Sequence, residues 1–243
     1  MNKYMIITID CEGTNYDSDI KGSIECMPKF LDICLKHELK VILFVTGMFA
    51  DEFFKQGMYE KYKNKVEFGL HIHPENLPEK IVKTLDFDTS KEFLADYTKS
   101  QKCEMIKKSY DYLKSLGIEN IGYFRGGQFS CDNDILNYVE SYCTDISQES
   151  HNLYREEYKV NKDYLGRILP LFVSSYEDCK YMCLENIPYD ELVTSCNYFG
   201  FEKTVMLTHS YMFKPDAFRY KRDNISEHIT VKFKRLLEHY NII

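Results

Sequence analysis

Tryptophan is absent from this chain of 243 residues, and proline and glycine are scarce, at 6 and 11 residues. No stretch rich in Pro, Gly or Ser marks a linker, so the reading is one domain over residues 1–243, of a length at which an α/β barrel commonly folds as a unit. An excess of basic residues is also missing. Asp and Glu number 38 against 31 Lys and Arg, giving a net charge of −7, which excludes the basic stripe of a nucleic-acid surface. No apolar run is long enough to span a bilayer, and Met1 to Ile7 carries no signal-peptide pattern, so the expected location is cytoplasmic. Nine scattered cysteines, with no CxxC pair, read as reduced thiols rather than a disulfide framework. Gly-rich phosphate loops, a dinucleotide fingerprint and the Gly-x-Ser-x-Gly elbow are all lacking, which removes the common nucleotide-binding and serine-hydrolase readings.

Five apolar runs that end in chemically capable residues are present instead. They are Ile7-Thr8-Ile9-Asp10-Cys11-Glu12-Gly13, Leu43-Phe44-Val45-Thr46-Gly47, Phe68-Gly69-Leu70-His71-Ile72-His73, Tyr123-Phe124-Arg125-Gly126-Gly127 and Val205-Met206-Leu207-Thr208-His209-Ser210. Between them lie segments of helical period: Ile24 to Leu39 with Pro28 in its first turn, Met48 to Tyr62 weakened by Gly57, Lys91 to Leu116 stopped by Gly117, Asp132 to Tyr142, and Asn224 to Tyr240 begun by Ser226 or Asn224. Strands are expected over Val41–Val45, Val66–Ile72, Ile121–Phe124, Cys143–Ile146 and Thr204–Leu207, with short strands, Ile168–Val173 among them, between Asn152 and Asp190. Pro74 to Ser90 lacks a period and reads as a long loop over the strand ends. Alternating strands and helices predict a parallel sheet with crossover helices. Reactive residues at the carboxyl ends of successive strands predict a site at one mouth of a TIM-like barrel.

The candidate site residues are Asp10, Glu12, His71, His73, Glu75, Arg125 and His209. Carboxylates at i and i+2 leave one face of a strand together, and His-x-His can present both imidazoles to one side. A carboxylate with two histidines accommodates zinc, iron, cobalt or nickel. Each residue has a plainer reading by itself: Asp10 and Glu12 as caps of a turn at Gly13-Thr14-Asn15, His71 and His73 as loop histidines bonded to backbone, Arg125 as a surface ion-pair partner, His209 as a satisfied buried histidine. Their joint placement at strand ends favours the site. His37, His151, His228, His239 and the Glu/Lys-rich face from Lys99 to Lys108 are left with structural roles.

In this order and spacing the segments resemble the polysaccharide deacetylase family, the NodB-homology group or carbohydrate esterase family 4, from about residue 4 to about residue 212. Thr8-Ile9-Asp10-Cys11-Glu12-Gly13 is similar to the family's first motif, with the acidic partner shifted by one position. Leu43 to Gly47 resembles the second strand, Glu67-Phe68-Gly69-Leu70-His71 the histidine motif, Phe124-Arg125-Gly126-Gly127 the arginine motif, and Leu207-Thr208-His209-Ser210 the last histidine motif. The resemblance implies a NodB-type distorted (β/α) barrel with fewer than eight regular strands. It further implies Asp10 as catalytic base, Arg125 as the residue orienting it, His209 as general acid, and Glu12 and His71 as metal ligands. The family's second histidine stands four residues after the first, where this chain has Glu75. His73 or Glu75 is then the third ligand, and imidazole chemistry favours His73. The family's aspartate-tryptophan motif has no counterpart here. The activity implied by the resemblance is metal-dependent removal of an acetyl group from an amino sugar or glycan precursor, with zinc the first choice of ion and iron, cobalt or nickel also suited. The alternatives are an inert carbohydrate-binding or scaffold relative, and a two-metal barrel hydrolase.

Overall fold

The computed structural model describes residues 5–13, 15–143, 182–199 and 205–243. In chain order the elements are β1 (Ile6–Cys11), α1 (Ile20–Lys36), β2 (Lys40–Val45), α2 (Gly47–Lys55), α3 (Met58–Tyr62), β3 (Glu67–Ile72), α4 (Glu79–Val82), α5 (Lys99–Leu116), β4 (Tyr123–Gly126), α6 (Asn133–Tyr142), β5 (Met182–Cys183), α7 (Tyr189–Phe199), β6 (Val205–His209), α8 (Phe218–Arg222) and α9 (Ile229–His239). The strands expected at Cys143–Ile146 and Ile168–Val173, and His151, lie wholly or mostly outside the described residues.

Two compact units make up the chain. One is formed by residues 1–10, 19–42 and 170–243, the other by residues 11–18 and 43–169. The first carries the strand order β2-β1-β6-β5 and the second β4-β3-β2, β2 giving its first half to one and its second half to the other. All the registered pairs are parallel: β1 with β6, β5 with β6, and β3 with β4. The strands β1, β2, β3 and β6, buried along nearly their whole length, read as continuous apolar runs because a parallel sheet is covered on both faces. In the first unit Phe30 of α1 meets Phe213 and Phe233, each at 4.9 Å between ring centroids. In the second, Phe53 of α2 and Tyr59 of α3 pack on Phe68 of β3 at 6.4 and 5.5 Å. No helix among the described residues is long and apolar enough to cross a membrane. No disulfide joins the described cysteines.

Several boundaries differ from the expected ones, each for a local reason. α1 starts four residues early, because the Asp19 side chain accepts from Gly22 N at 3.0 Å and caps it there, leaving Pro28 inside the helix rather than in its first turn. The expected helix from Met48 to Tyr62 breaks into α2 and α3 at Gly57, whose φ of 68° is left-handed. α5 begins at Lys99 instead of Lys91, since Thr98 and Gln101 form a reciprocal capping box. Asn224 has left-handed backbone, and α9 is capped by His228 rather than by Ser226 or Asn224. Within Pro74–Ser90 the chain forms a 3-10 turn at Pro74–Asn76 and then α4. The face from Lys99 to Lys108 is not wholly solvated: Lys102 is buried and pairs with Asp132.

Candidate metal centre

In the second unit, the residue that follows β1 and the end of β3 bring three side chains together. Glu12 follows the last residue of β1, His71 lies in β3, and His73 follows it as the cap of the Pro74–Asn76 turn. All three are buried. Each offers one ligand atom, and these atoms lie within 4.8 Å of one another. Glu12 Oε1 is 3.9 Å from His71 Nε2 and 3.5 Å from His73 Nε2. The two imidazole rings stand nearly perpendicular, at 82° and 4.9 Å.

Each histidine has its other nitrogen occupied. His71 Nδ1 lies 2.9 Å from the carbonyl oxygen of Arg125, the residue opposite it in the β3–β4 register. A carbonyl only accepts, so Nδ1 carries a proton, and in the neutral ring the lone pair is left to Nε2. His73 Nδ1 lies 3.3 Å from Glu75 Oε1. The buried Nε2 atoms of both rings make no hydrogen bond. An ion bound by histidine and carboxylate at about 2.0–2.2 Å would set its donors about 3.4 Å apart at tetrahedral angles, against 3.5 and 3.9 Å for the two separations from Glu12 Oε1. The donor set therefore fits a divalent ion. Without one, burial pushes the His73 pKa down, but its pairing with Glu12 and Glu75 outweighs this and lifts it to about 9. A proton there occupies the place an ion would take.

The surrounding backbone is shaped to this centre. A Cβ on Gly127 would come within 2.4 Å of His73 Nδ1, so only glycine lets the β4 end pass the ring. The Tyr16 ring packs tilted against His73, at 4.6 Å between centroids, and its hydroxyl donates to Glu75 Oε1 at 3.0 Å. Asn76 Oδ1 accepts from Asn15 N at 3.2 Å, holding the loop after Glu12 to the turn after His73. Arg125 is fully buried, its guanidinium carbon 3.9 Å above the Phe44 ring.

The first unit gathers a second group. Asp10 and His209 face each other in the β1–β6 register. His209 Nδ1 is hydrogen-bonded to the fully buried carboxylate of Glu185, and Arg219 Nη1 lies 3.5 Å from the same oxygen. Tyr211 stacks on the His209 ring at 5.1 Å, leaving His209 partly exposed. Cys183, whose thiol pKa burial pushes well up, lies beside Glu185, and Cys183, Glu185 and His209 could also group around an ion. The adjacent Arg219 guanidinium opposes a cation there. Glu185 and Arg219 escaped the sequence reading, although Met182-Cys183-Leu184-Glu185 repeats the form of an apolar run closed by a carboxylate. A two-residue strand is too short to register as one.

In sequence, no family model and no curated protein matches the chain. Solved structures match it in fold. A CE4 family pseudoenzyme from Bacillus anthracis superposes with a TM-score of 0.53 at 12% identity, over 98% of this chain and 62% of that one. A mutant of that pseudoenzyme with restored enzymatic activity superposes at 0.50 and 13% identity, over 92% and 63%. The chain thus spans less than two thirds of the length of these structures. The likeness is one of fold: a distorted NodB-type (β/α) barrel, with six strands among the described residues.

Proposed function

We propose that the protein is a metal-dependent hydrolase that removes an acetyl group from an amino sugar or glycan precursor. The observation that carries this reading is the convergence of Glu12 Oε1, His71 Nε2 and His73 Nε2, buried, with both Nδ1 atoms already engaged. These three residues would hold the ion, zinc being the best suited. A bound divalent ion supplies a lowered water pKa and polarisation of the acyl carbonyl. Asp10, two residues before Glu12, takes the proton of the attacking water in this reading. His209 gives a proton to the departing amine, which would otherwise be a very poor leaving group. Glu185, accepting from His209 Nδ1, leaves the other ring nitrogen to that task. The resemblance in sequence gives Arg125 the role of orienting the base.

The test is acetate release from N-acetylated amino sugars and their oligomers by zinc-loaded protein. Turnover that is lost with a chelator and restored by zinc supports the reading. No acetate from any such substrate, with zinc bound stoichiometrically, sinks it. A catalytically inert carbohydrate-binding relative is the second reading, favoured by the likeness in fold to a pseudoenzyme. Elemental analysis separates the two at once: protein that neither retains metal after chelator-free purification nor takes it up on titration belongs to the inert reading.

A further inference from the structure

We infer that Glu75 is not a ligand but the positioning residue of His73, and that Tyr16 holds it in place. This rests on the metal-centre reading above. Glu75 stands where a family histidine would be expected, so its role decides how a shifted histidine can serve instead. The two ring nitrogens of His73 face different carboxylates: Nε2 is 3.5 Å from Glu12 Oε1, and Nδ1 is 3.3 Å from Glu75 Oε1. The ring itself therefore separates Glu75 from the ligand atoms. Glu75 Oε1 also accepts from the Tyr16 hydroxyl at 3.0 Å, whereas Oε2 is buried and makes no hydrogen bond. The carboxylate is thus directed at His73 and Tyr16 through one oxygen.

A carboxylate acceptor at Nδ1 keeps the proton on that nitrogen and the lone pair on Nε2, fixes the ring plane, and raises the basicity of the ligating atom. Tyr16 completes the arrangement from the opposite direction, its ring against the imidazole and its hydroxyl on the carboxylate. The Gln128 side chain lies beside the same hydroxyl. It does so from left-handed backbone at φ 52°, which a residue other than glycine adopts only where its surroundings hold it. His71 needs no such partner, because the Arg125 carbonyl at 2.9 Å fixes its ring through the strand register. The His-x-His pair is held on one side by backbone and on the other by a side-chain relay.

Titration of zinc into the chelator-stripped full chain, followed calorimetrically, tests this with Glu75→Ala, Glu75→Gln and Tyr16→Phe beside the native protein. Glu75→Ala is expected to weaken zinc binding about 10- to 100-fold, the usual effect of removing such an outer partner. Glu75→Gln keeps an oxygen to accept from Nδ1 and recovers most of that loss, and Tyr16→Phe falls between. In 15N spectra of the zinc-loaded proteins, the His73 Nδ1–H signal is protected in the native and Gln forms and lost to exchange in the Ala form. Unchanged affinity and signal in Glu75→Ala overturn the inference while leaving the metal reading intact. Loss of binding in both Glu75 variants as complete as in His73→Ala overturns it too, by making Glu75 a ligand. Failure of the native chain to bind zinc overturns the metal reading itself and the inference with it.

Discussion

His71 and His73 occupy one motif yet are held by different means, and single substitutions distinguish what each residue contributes. Replacing His71 by Ala removes a proposed ligand whose Nδ1 partner is a backbone carbonyl. Stoichiometric zinc binding should disappear, as read by elemental analysis after dialysis. Asp10→Asn should leave zinc content near that of the native protein while acetate release falls by several orders of magnitude, since the amide cannot take the proton. Acetate release near the native rate would remove Asp10 from the base role. Gly127→Ala adds a Cβ at 2.4 Å from His73 Nδ1, where the nearest atom is a ring held by two carboxylates rather than a free side-chain end. Zinc affinity should fall at least about tenfold, with a loss of about 1–3 kcal/mol in stability by denaturant titration. The types of these residues were legible as ends of apolar runs. The direction of each ring was not, because it depends on Arg125, 54 residues from His71, and on how the Pro74–Asn76 turn swings Glu75 back onto His73.

Caps and breaks set the lengths of the helices that position these ends. Gly57 separates α2 from α3 with left-handed backbone, and a Cβ there would meet nothing within 4 Å. Gly57→Ala should therefore report backbone strain alone, at about 1 kcal/mol of lost stability. α9 depends on a titratable cap. His228 Nε2 donates to the Phe213 carbonyl at 3.1 Å, and Nδ1 accepts from Thr230 N at 3.2 Å, a pairing available only to the neutral ring. Burial holds the His228 pKa below its ordinary 6.5. The unfolded chain then binds the proton more readily than the folded one. The contribution of this cap is fully present above pH 6.5 and declines as the pH drops through the lowered folded value. Denaturant titrations from pH 8 to pH 5 should show this decline, and His228→Asn, which keeps an acceptor without the titration, should flatten that part of the profile. An unchanged slope in the Asn form would assign the acid sensitivity to other groups. Periodicity located α5 and α9, while their first residues depended on cap bonds between residues two or three apart whose formation the period does not encode.

For the molecule as a whole, the proposed metal centre offers a measure of how ligand and fold are linked. An ion that binds the folded chain only should stabilise it by about 2.7 kcal/mol at a hundredfold excess over its dissociation constant. Thermal unfolding of the chelator-stripped protein should move upward on adding zinc and return with chelator, and His71→Ala should show neither change. A native protein whose unfolding ignores zinc would contradict a centre built into the fold. The sequence by itself determined the parallel β/α organisation, the strands β1, β3, β4 and β6 that border the two clusters, and the kinds of side chain at their carboxyl ends. Those are consequences of apolar runs and local period, which any covered parallel sheet imposes on its own strands. Only the tertiary structure decided that Nε2 rather than Nδ1 of each histidine faces Glu12, that Glu75 stands behind His73, and that the partner of His209 is Glu185, 24 residues earlier. These depend on strand register and on side chains brought together from separate segments. A hydrogen bond that selects one nitrogen of a ring leaves no trace in the pattern of residues around it.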